Sequence, residues 1–219
     1  KYVDNYCANK SAIDSAFSSK EDLLSDKMPE VAIFYFSGTG NTKWVAGKIS
    51  EIFNKSGYNS IVFNIENIDS QSANQAIIKS DICGFGYPIY GSDLPQLMKD
   101  FISNLDFVNG NKAFVFCTQW LWSGDGASEG RRYLKHKGFD CLWGEHFLMP
   151  NNICITKSNI LPFTNDPVKI KHYLSRNQNK CYRFVSVIIS GNKFFRGSDL
   201  FSYLTGYYFQ RVYYKKYFI

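Results

Sequence analysis

The stretch "VAIFYFSGTGNTKWVA", residues 31–46, decides how this chain is read. Six mostly apolar residues, 31–36, run directly into Ser37-Gly38-Thr39-Gly40-Asn41-Thr42. A near-continuous apolar run suits a parallel strand covered on both faces. Residues 41–54 then place Trp44, Val45, Ile49, Ile52 and Phe53 at helical spacing. The six residues between strand and helix are all glycine, hydroxyl or amide. They stand where a helix leaves backbone N–H groups unpaired and its dipole is positive. Gly38 and Gly40 let the backbone turn tightly and approach an anion with no Cβ in the way. Ser37, Thr39 and Thr42 add hydroxyls and Asn41 adds an amide, so the loop can hold a phosphate dianion mainly with neutral donors.

Two better-known phosphate loops do not fit. The pattern GxxxxGK[ST] would need Gly at 42 and Ser or Thr at 49, but Thr42 and Ile49 stand there around Gly47-Lys48. GxGxxG can start at Gly38-Thr39-Gly40, yet position 43 is Lys. A terminal monophosphate therefore suits the loop better than a diphosphate.

Outward from this loop the same alternation repeats. Strands are expected at 60–65, 81–86, 112–118 and 140–147, and helices at 72–79, 94–105 and 127–137. Asp93 is the expected N-cap of the helix at 94–105, with Pro95 in its first turn. Asp166-Pro167 reads as N-cap and first position of a long final helix. The fold class is α/β, a five-stranded parallel sheet with helices on both faces. Right-handed crossovers leave few topologies, and ligands bind such sheets beyond the carboxyl ends of the strands, where strand order reverses. The loops 37–42, 87–93 and 119–126 meet that description. Around the domain at 31–192 the sequence sets a polar N-terminal arm, 1–30, and an aromatic-rich helical extension, 193–219. Positions 194–219 carry eleven aromatics in 26 residues, apolar on nearly every side of a helix, which calls for burial or a docking surface.

Composition narrows the function. The 219 residues are 45% hydrophobic with a net charge of +6. The mild basic excess permits an anionic cofactor or an acidic partner. The basic residues form short pairs such as Arg131-Arg132 rather than a stripe, so nucleic acid is not expected. No run of eighteen apolar residues and no charged-then-apolar leader is found, which gives an expectation of a cytoplasmic protein with no membrane span. Six cysteines include no CxxC pair, so no local zinc or iron–sulfur site is expected; Cys83 and Cys117 read as small buried thiols in strands. His136, His146 and His172 are scattered, and no catalytic Ser/His/Asp order or HExxH occurs. No catalytic side chain and no metal ligand is assigned. A cofactor would carry the chemistry.

The segment "YFSGTGNT", 35–42, resembles the phosphate-binding signature of the flavodoxins, small FMN-binding electron carriers. With "GYPIYGSDLP", 86–95, the pattern more closely resembles the flavodoxin-like half of bacterial and archaeal proteins that join a flavodoxin domain to a two-cluster ferredoxin domain. The resemblance covers about residues 31–190. It implies strand order 2-1-3-4-5 with FMN at the switch point. It implies that Ser37, Gly38, Thr39, Gly40, Asn41 and Thr42 hold the phosphate, and that Pro88, Tyr90, Gly91, Trp120, Trp122 and Gly124 frame the ring. Tyr90 and one of Trp120 or Trp122 are the stacking candidates, while Tyr87, nearest the strand, is read as core. Gly91 matches the position whose peptide can turn its carbonyl toward the flavin N5, a turn glycine makes cheap.

The implied function is electron transfer with a redox protein, either a ferredoxin-like or iron–sulfur partner or a ferredoxin module this sequence lacks. A homodimer through the extension is a further partner reading. Two alternatives stay open: an FMN-dependent NAD(P)H:quinone or nitro reductase, and a phosphate or nucleotide module without redox chemistry. The chain departs from the two-module pattern in having no cysteine-rich motif after the flavodoxin-like part, and from flavodoxins in being basic.

Overall fold

A computed structural model describes residues 28–90, 93–120, 122, 124–151 and 164–214. Most of the expected N-terminal arm (1–27), Gly91 and the last residues, 215–219, lie outside the described residues.

Strand β1 (Glu30–Tyr35) is buried from 31 to 35, as its unbroken apolar run requires. It leads through the 37–42 loop into helix α1 (Asn41–Lys55). Then follow β2 (Asn59–Asn64), α2 (Ser70–Lys79), β3 (Ile82–Pro88), α3 (Gln96–Ser103), β4 (Lys112–Gln119), α4 (Gly126–His136), β5 (Asp140–Leu148) and α5 (Pro167–Ile189). The sheet order is β2-β1-β3-β4-β5-β6, where β6 is Phe194–Phe195, with every neighbouring pair parallel. The order reverses between β1 and β3, so the loops after β1, β3 and β4 leave adjacent strands at one end of the sheet.

Helices α1 and α5 cover one face, where Ile33, Val45, Phe53, Phe114, Phe147 and Phe184 pack together. Helices α2, α3 and α4 cover the other, over Phe34, Phe85, Tyr87, Met98 and Leu134. Asp166 caps α5 by accepting from the N–H of Val168 at 2.9 Å, with Pro167 at the first helical position. That start is where the sequence places it.

Two expectations change. The sheet has six strands, not five: β6 (Phe194–Phe195) pairs with Trp143 and Gly144 of β5. Two residues are too few to show an alternating pattern, and they open the aromatic run read as helix. The strand is held by side-chain geometry. The Phe195 ring lies where a side chain on Gly144 would be, and Trp143 Nε1 donates to the Asn192 carbonyl at 2.8 Å. The second change is at α3, which starts at Gln96 behind Pro95 rather than behind Asp93. The residue before a proline is pushed out of the helical region. Asp93 pairs instead with Lys99 at 2.7 Å.

Across β3 and β4, Gly86 stands opposite Phe116, and a Cβ on Gly86 would meet that ring at 2.1 Å. The ring is fully buried and has nowhere to go. Gly86→Ala is expected to destabilise the fold by roughly 1–3 kcal/mol, seen as a lower urea midpoint with an unchanged slope.

Candidate functional site

The first loop is formed by the turn from β1 to α1. Gly40 is the N-cap of α1 in the left-handed region, φ 91°, and contributes no side-chain cap. Neither does the first turn of α1 carry a carboxylate, whereas Asp69 and Asp166 cap α2 and α5. Ser37 fills part of that role: its Oγ accepts the N–H groups of Gly40 at 3.1 Å and Lys43 at 3.2 Å. Its O–H is still able to donate to a further acceptor. Gly38, Thr39 and Gly40 are exposed.

Two of the expected phosphate ligands also face inward. Thr42 is buried, and its hydroxyl shares a 2.8 Å hydrogen bond with the hydroxyl of Thr118 near the end of β4. The Asn41 amide donates to the Pro150 carbonyl at 2.9 Å, tying the loop to the chain that leaves β5. These contacts brace the loop against its neighbours. The outward surface is then Thr39, the glycines and the first-turn amides.

The second loop meets the first at one point. A Cβ on Gly38 would lie 3.1 Å from the Tyr90 hydroxyl, so the phenol reaches over the glycine. Tyr90 is half exposed, and partial burial raises its phenol above the ordinary value. Its backbone exchanges hydrogen bonds with Asp93 at 3.3 and 3.2 Å; Gly91, between them, lies outside the described residues. Pro88 ends β3 opposite Thr118. Tyr87 is core, as expected: it is fully buried, its hydroxyl donates to the Gly126 carbonyl at 2.9 Å, and burial raises its pKa well above the ordinary phenol.

In the third loop, Trp120 is partly buried and Trp122 is 52% exposed. The Trp122 ring meets Phe201 of the C-terminal segment edge-on, with centroids 6.3 Å apart. Gly124 is buried, with φ 54°. The structure thus joins Gly38 to Tyr90 and Thr42 to Thr118, while Trp122 turns toward the tail.

Sequence reasoning did not single out Thr118, Pro150 or the tail as neighbours of these loops. Thr118 has a signal in hindsight, a polar residue ending an apolar strand; the other two have none, because both arrive from distant sequence. His146, one of the three scattered histidines, is held by the fold. It is buried, and its Nε2 accepts the Ala127 N–H at 3.3 Å at the start of α4. Lys180 donates to its carbonyl and pairs with Glu145 at 3.1 Å, and Arg196 pairs with Glu145 at 2.6 Å. Burial first, then the charges of Lys180 and Arg196, lowers the His146 pKa to about 3. Cys83, Cys117, Cys141 and Cys181 are buried, and burial pushes the Cys83 and Cys141 thiols up to about 12. Among the described residues no group of three or more His, Cys, Asp or Glu is placed to hold a metal, and no helix is long and apolar enough to cross a membrane.

No family model matches the sequence, and no curated protein matches it. Solved structures do. The general stress protein 14 of Treponema denticola, solved in complex with FMN, aligns with a TM-score of 0.53 at 12% identity, over 73% of this chain and 99% of that one. Oxidised flavodoxin 2 from Bacillus cereus aligns at 0.52 and 18%, over 74% and 97%. The Flv1 flavodiiron core from Synechocystis sp. PCC6803 aligns at 0.51 and 17%, over 77% of this chain; the chain spans 38% of that protein's length. The fold is flavodoxin-like, with one strand more than the five expected.

Thr42→Val strands the buried Thr118 hydroxyl and is expected to cost roughly 1–3 kcal/mol, while Thr42→Val with Thr118→Val costs much less; urea unfolding of both variants separates the terms. His146 takes up a proton near pH 6.5 when unfolded but only near 3 when folded. Its contribution to stability is full above about pH 6.5 and is lost as pH falls toward 3. Across that window His146→Gln, whose side chain stays neutral, is expected to lose stability less steeply with acid than wild type.

Proposed function

We propose that this chain is an FMN-binding, flavodoxin-like electron-transfer domain that exchanges electrons with a redox protein. The observation that carries the reading is the first loop: an exposed glycine-rich turn entering an α1 N-terminus that has no carboxylate cap, at the strand-order reversal, beside the loops after β3 and β4. An added carboxylate there would repel a phosphate; the loop instead offers neutral donors and the positive helix end.

The residues present fit the group. The Thr39 hydroxyl, the Ser37 hydroxyl proton and the amides of the first α1 turn would hold the terminal phosphate. Asn41 and Thr42, anchored on Pro150 and Thr118, would keep those amides aimed at it. Tyr90 and Trp120 would wall the ring, with Pro88, Gly91, Trp122 and Gly124 completing its frame. When bound, the flavin supplies the redox chemistry, taking up or releasing one or two electrons. The protein's part is to orient the ring, exclude water from its walls and leave an edge accessible. The similarity of two flavoproteins of this fold over nearly their whole length supports the cofactor reading, and the two-module resemblance points to an iron–sulfur centre as the partner's redox group.

Purified protein titrated with FMN is expected to turn yellow and quench the flavin fluorescence, and Thr39→Val is expected to bind about tenfold more weakly. Protein that stays colourless with FMN in excess overturns the reading. Wild-type affinity in Thr39→Val removes that hydroxyl from the site.

A further inference from the structure

The tail beyond α5 is built onto the third loop. Helix α6 (Leu200–Leu204) is followed by a stretch of wider π-helix, Thr205–Tyr214. Three glycines bring the tail's main chain against the loop's. A Cβ on Gly124 would stand 2.7 Å from the Gly206 Cα and 2.9 Å from the Ser202 carbonyl oxygen. One on Gly197 would stand 2.8 Å from the Gly124 carbonyl oxygen, and one on Gly206 would stand 2.1 Å from Asp125 Oδ1. Backbone packs on backbone here, and any side chain forces it apart.

Polar and aromatic contacts reinforce the junction. Ser128 Oγ donates to the Gly197 carbonyl at 2.7 Å, and Arg196 pairs with the buried Glu145. Arg132, which pairs with the buried Asp125, lies 5.4 Å from the centre of the Tyr203 ring. Trp122 meets Phe201. All of these contacts are with the third loop, α4 and β5, and α4 and β5 follow β4 on the side away from β1 and the first loop.

We propose that residues 194–208 form a clamp that fixes the third loop, so that Trp122 and Gly124 are held in place before a ligand arrives and flavin affinity depends on the docked tail. The flavin part of this inference rests on the FMN reading above. A loop ordered in advance loses less conformational freedom when the ligand binds, and that difference appears as affinity. The contacts named above are all with the third loop, α4 and β5, so the clamp acts on the site through the third loop. Gly206, Gly197 and Phe201 are positioning residues in this scheme.

The test uses two full-length variants and two readouts. Gly206→Val drives a side chain into Asp125; Phe201→Ser removes the ring on Trp122 from a position that is 67% exposed, where the fold tolerates change. Hydrogen exchange is followed in the ligand-free protein, and FMN affinity by fluorescence titration. In Gly206→Val the amides of residues 124–128 are expected to exchange at least about tenfold faster while those of β1 and β3 keep their protection, and FMN is expected to bind about tenfold more weakly. Phe201→Ser is expected to move both readouts the same way by less. Should Gly206→Val also lose protection in β1 and β3, it has unfolded, and Phe201→Ser decides. Unchanged exchange at 124–128 overturns the clamp, and faster exchange with undiminished FMN affinity overturns its link to the ligand. If wild type binds no FMN, the flavin reading and that link fall together, while the exchange data still decide whether the tail orders the loop.

Discussion

The turn at Gly40 is the constraint on which the rest depends. Its left-handed backbone lets β1 enter α1 without a side-chain cap, leaving the helix start open to solvent beside the strand-order reversal. At three other helix starts the same problem is solved with a carboxylate, Asp69, Asp166 and Asp199, whereas α3 behind Pro95 and α4 behind Asp125 have no side-chain cap. An acidic cap in the first loop would close that end of the helix electrostatically. Ser37 gives it just enough support, through two accepted N–H bonds, to hold its shape with no net charge. Beneath it, the Thr42–Thr118 bond ties the start of α1 to the end of β4. Two of the three crossover loops are therefore linked from below by one buried hydroxyl pair.

Most of the fold was legible because its signals are local. The buried strands β1, β3 and β4 are written as apolar runs, and the long helix α5 is announced by Asp166-Pro167. What was not legible depends on contacts between distant residues. β6 is a strand only because Gly144 leaves room for the Phe195 ring and Trp143 reaches the Asn192 carbonyl. No window of sequence around Phe194 contains that information. The start of α3 differs for another reason: Asp93 is a good capping residue, but Pro95 keeps Leu94 out of the helical region, so the helix begins at Gln96.

The candidate site shows the same division. The loop at 37–42 can be read from residue types alone, because glycines and hydroxyls at a strand-to-helix turn have few other uses. The division of labour within it cannot. Thr39 and Thr42 look equivalent in sequence, yet one is exposed and the other is buried against Thr118. Their difference is set by the helix itself. Thr42 lies one turn-step inside α1 on the face toward the sheet, where Val45, Ala46 and Ile49 are also buried. The aromatics divide similarly: Tyr87 belongs to the β3 pleat that faces α4, while Tyr90, beyond the strand end, escapes it and leans over Gly38.

The tail's aromatic excess follows from its having two jobs for two sides. Its inner side is mostly not aromatic at all: Gly197, Ser202 and Gly206 make the closest approach, because the loop and the Asp125 carboxylate leave room only for small residues. Aromatic rings flank that seam, Phe195 under Arg131 at 4.7 Å and Tyr203 under Arg132 at 5.4 Å, so cations of α4 rest on rings at both ends. Beyond the seam Leu200, Phe201, Leu204 and Tyr208 remain exposed, by 71%, 67%, 41% and 58%. A helix apolar on nearly every side called for burial or a docking surface; among the described residues of the tail, Gly197, Ser202 and Gly206 are the buried ones. The segment therefore adds β6 beside Trp143 and Gly144 of β5 and carries large apolar side chains outward, beside the same loop that would frame the ring.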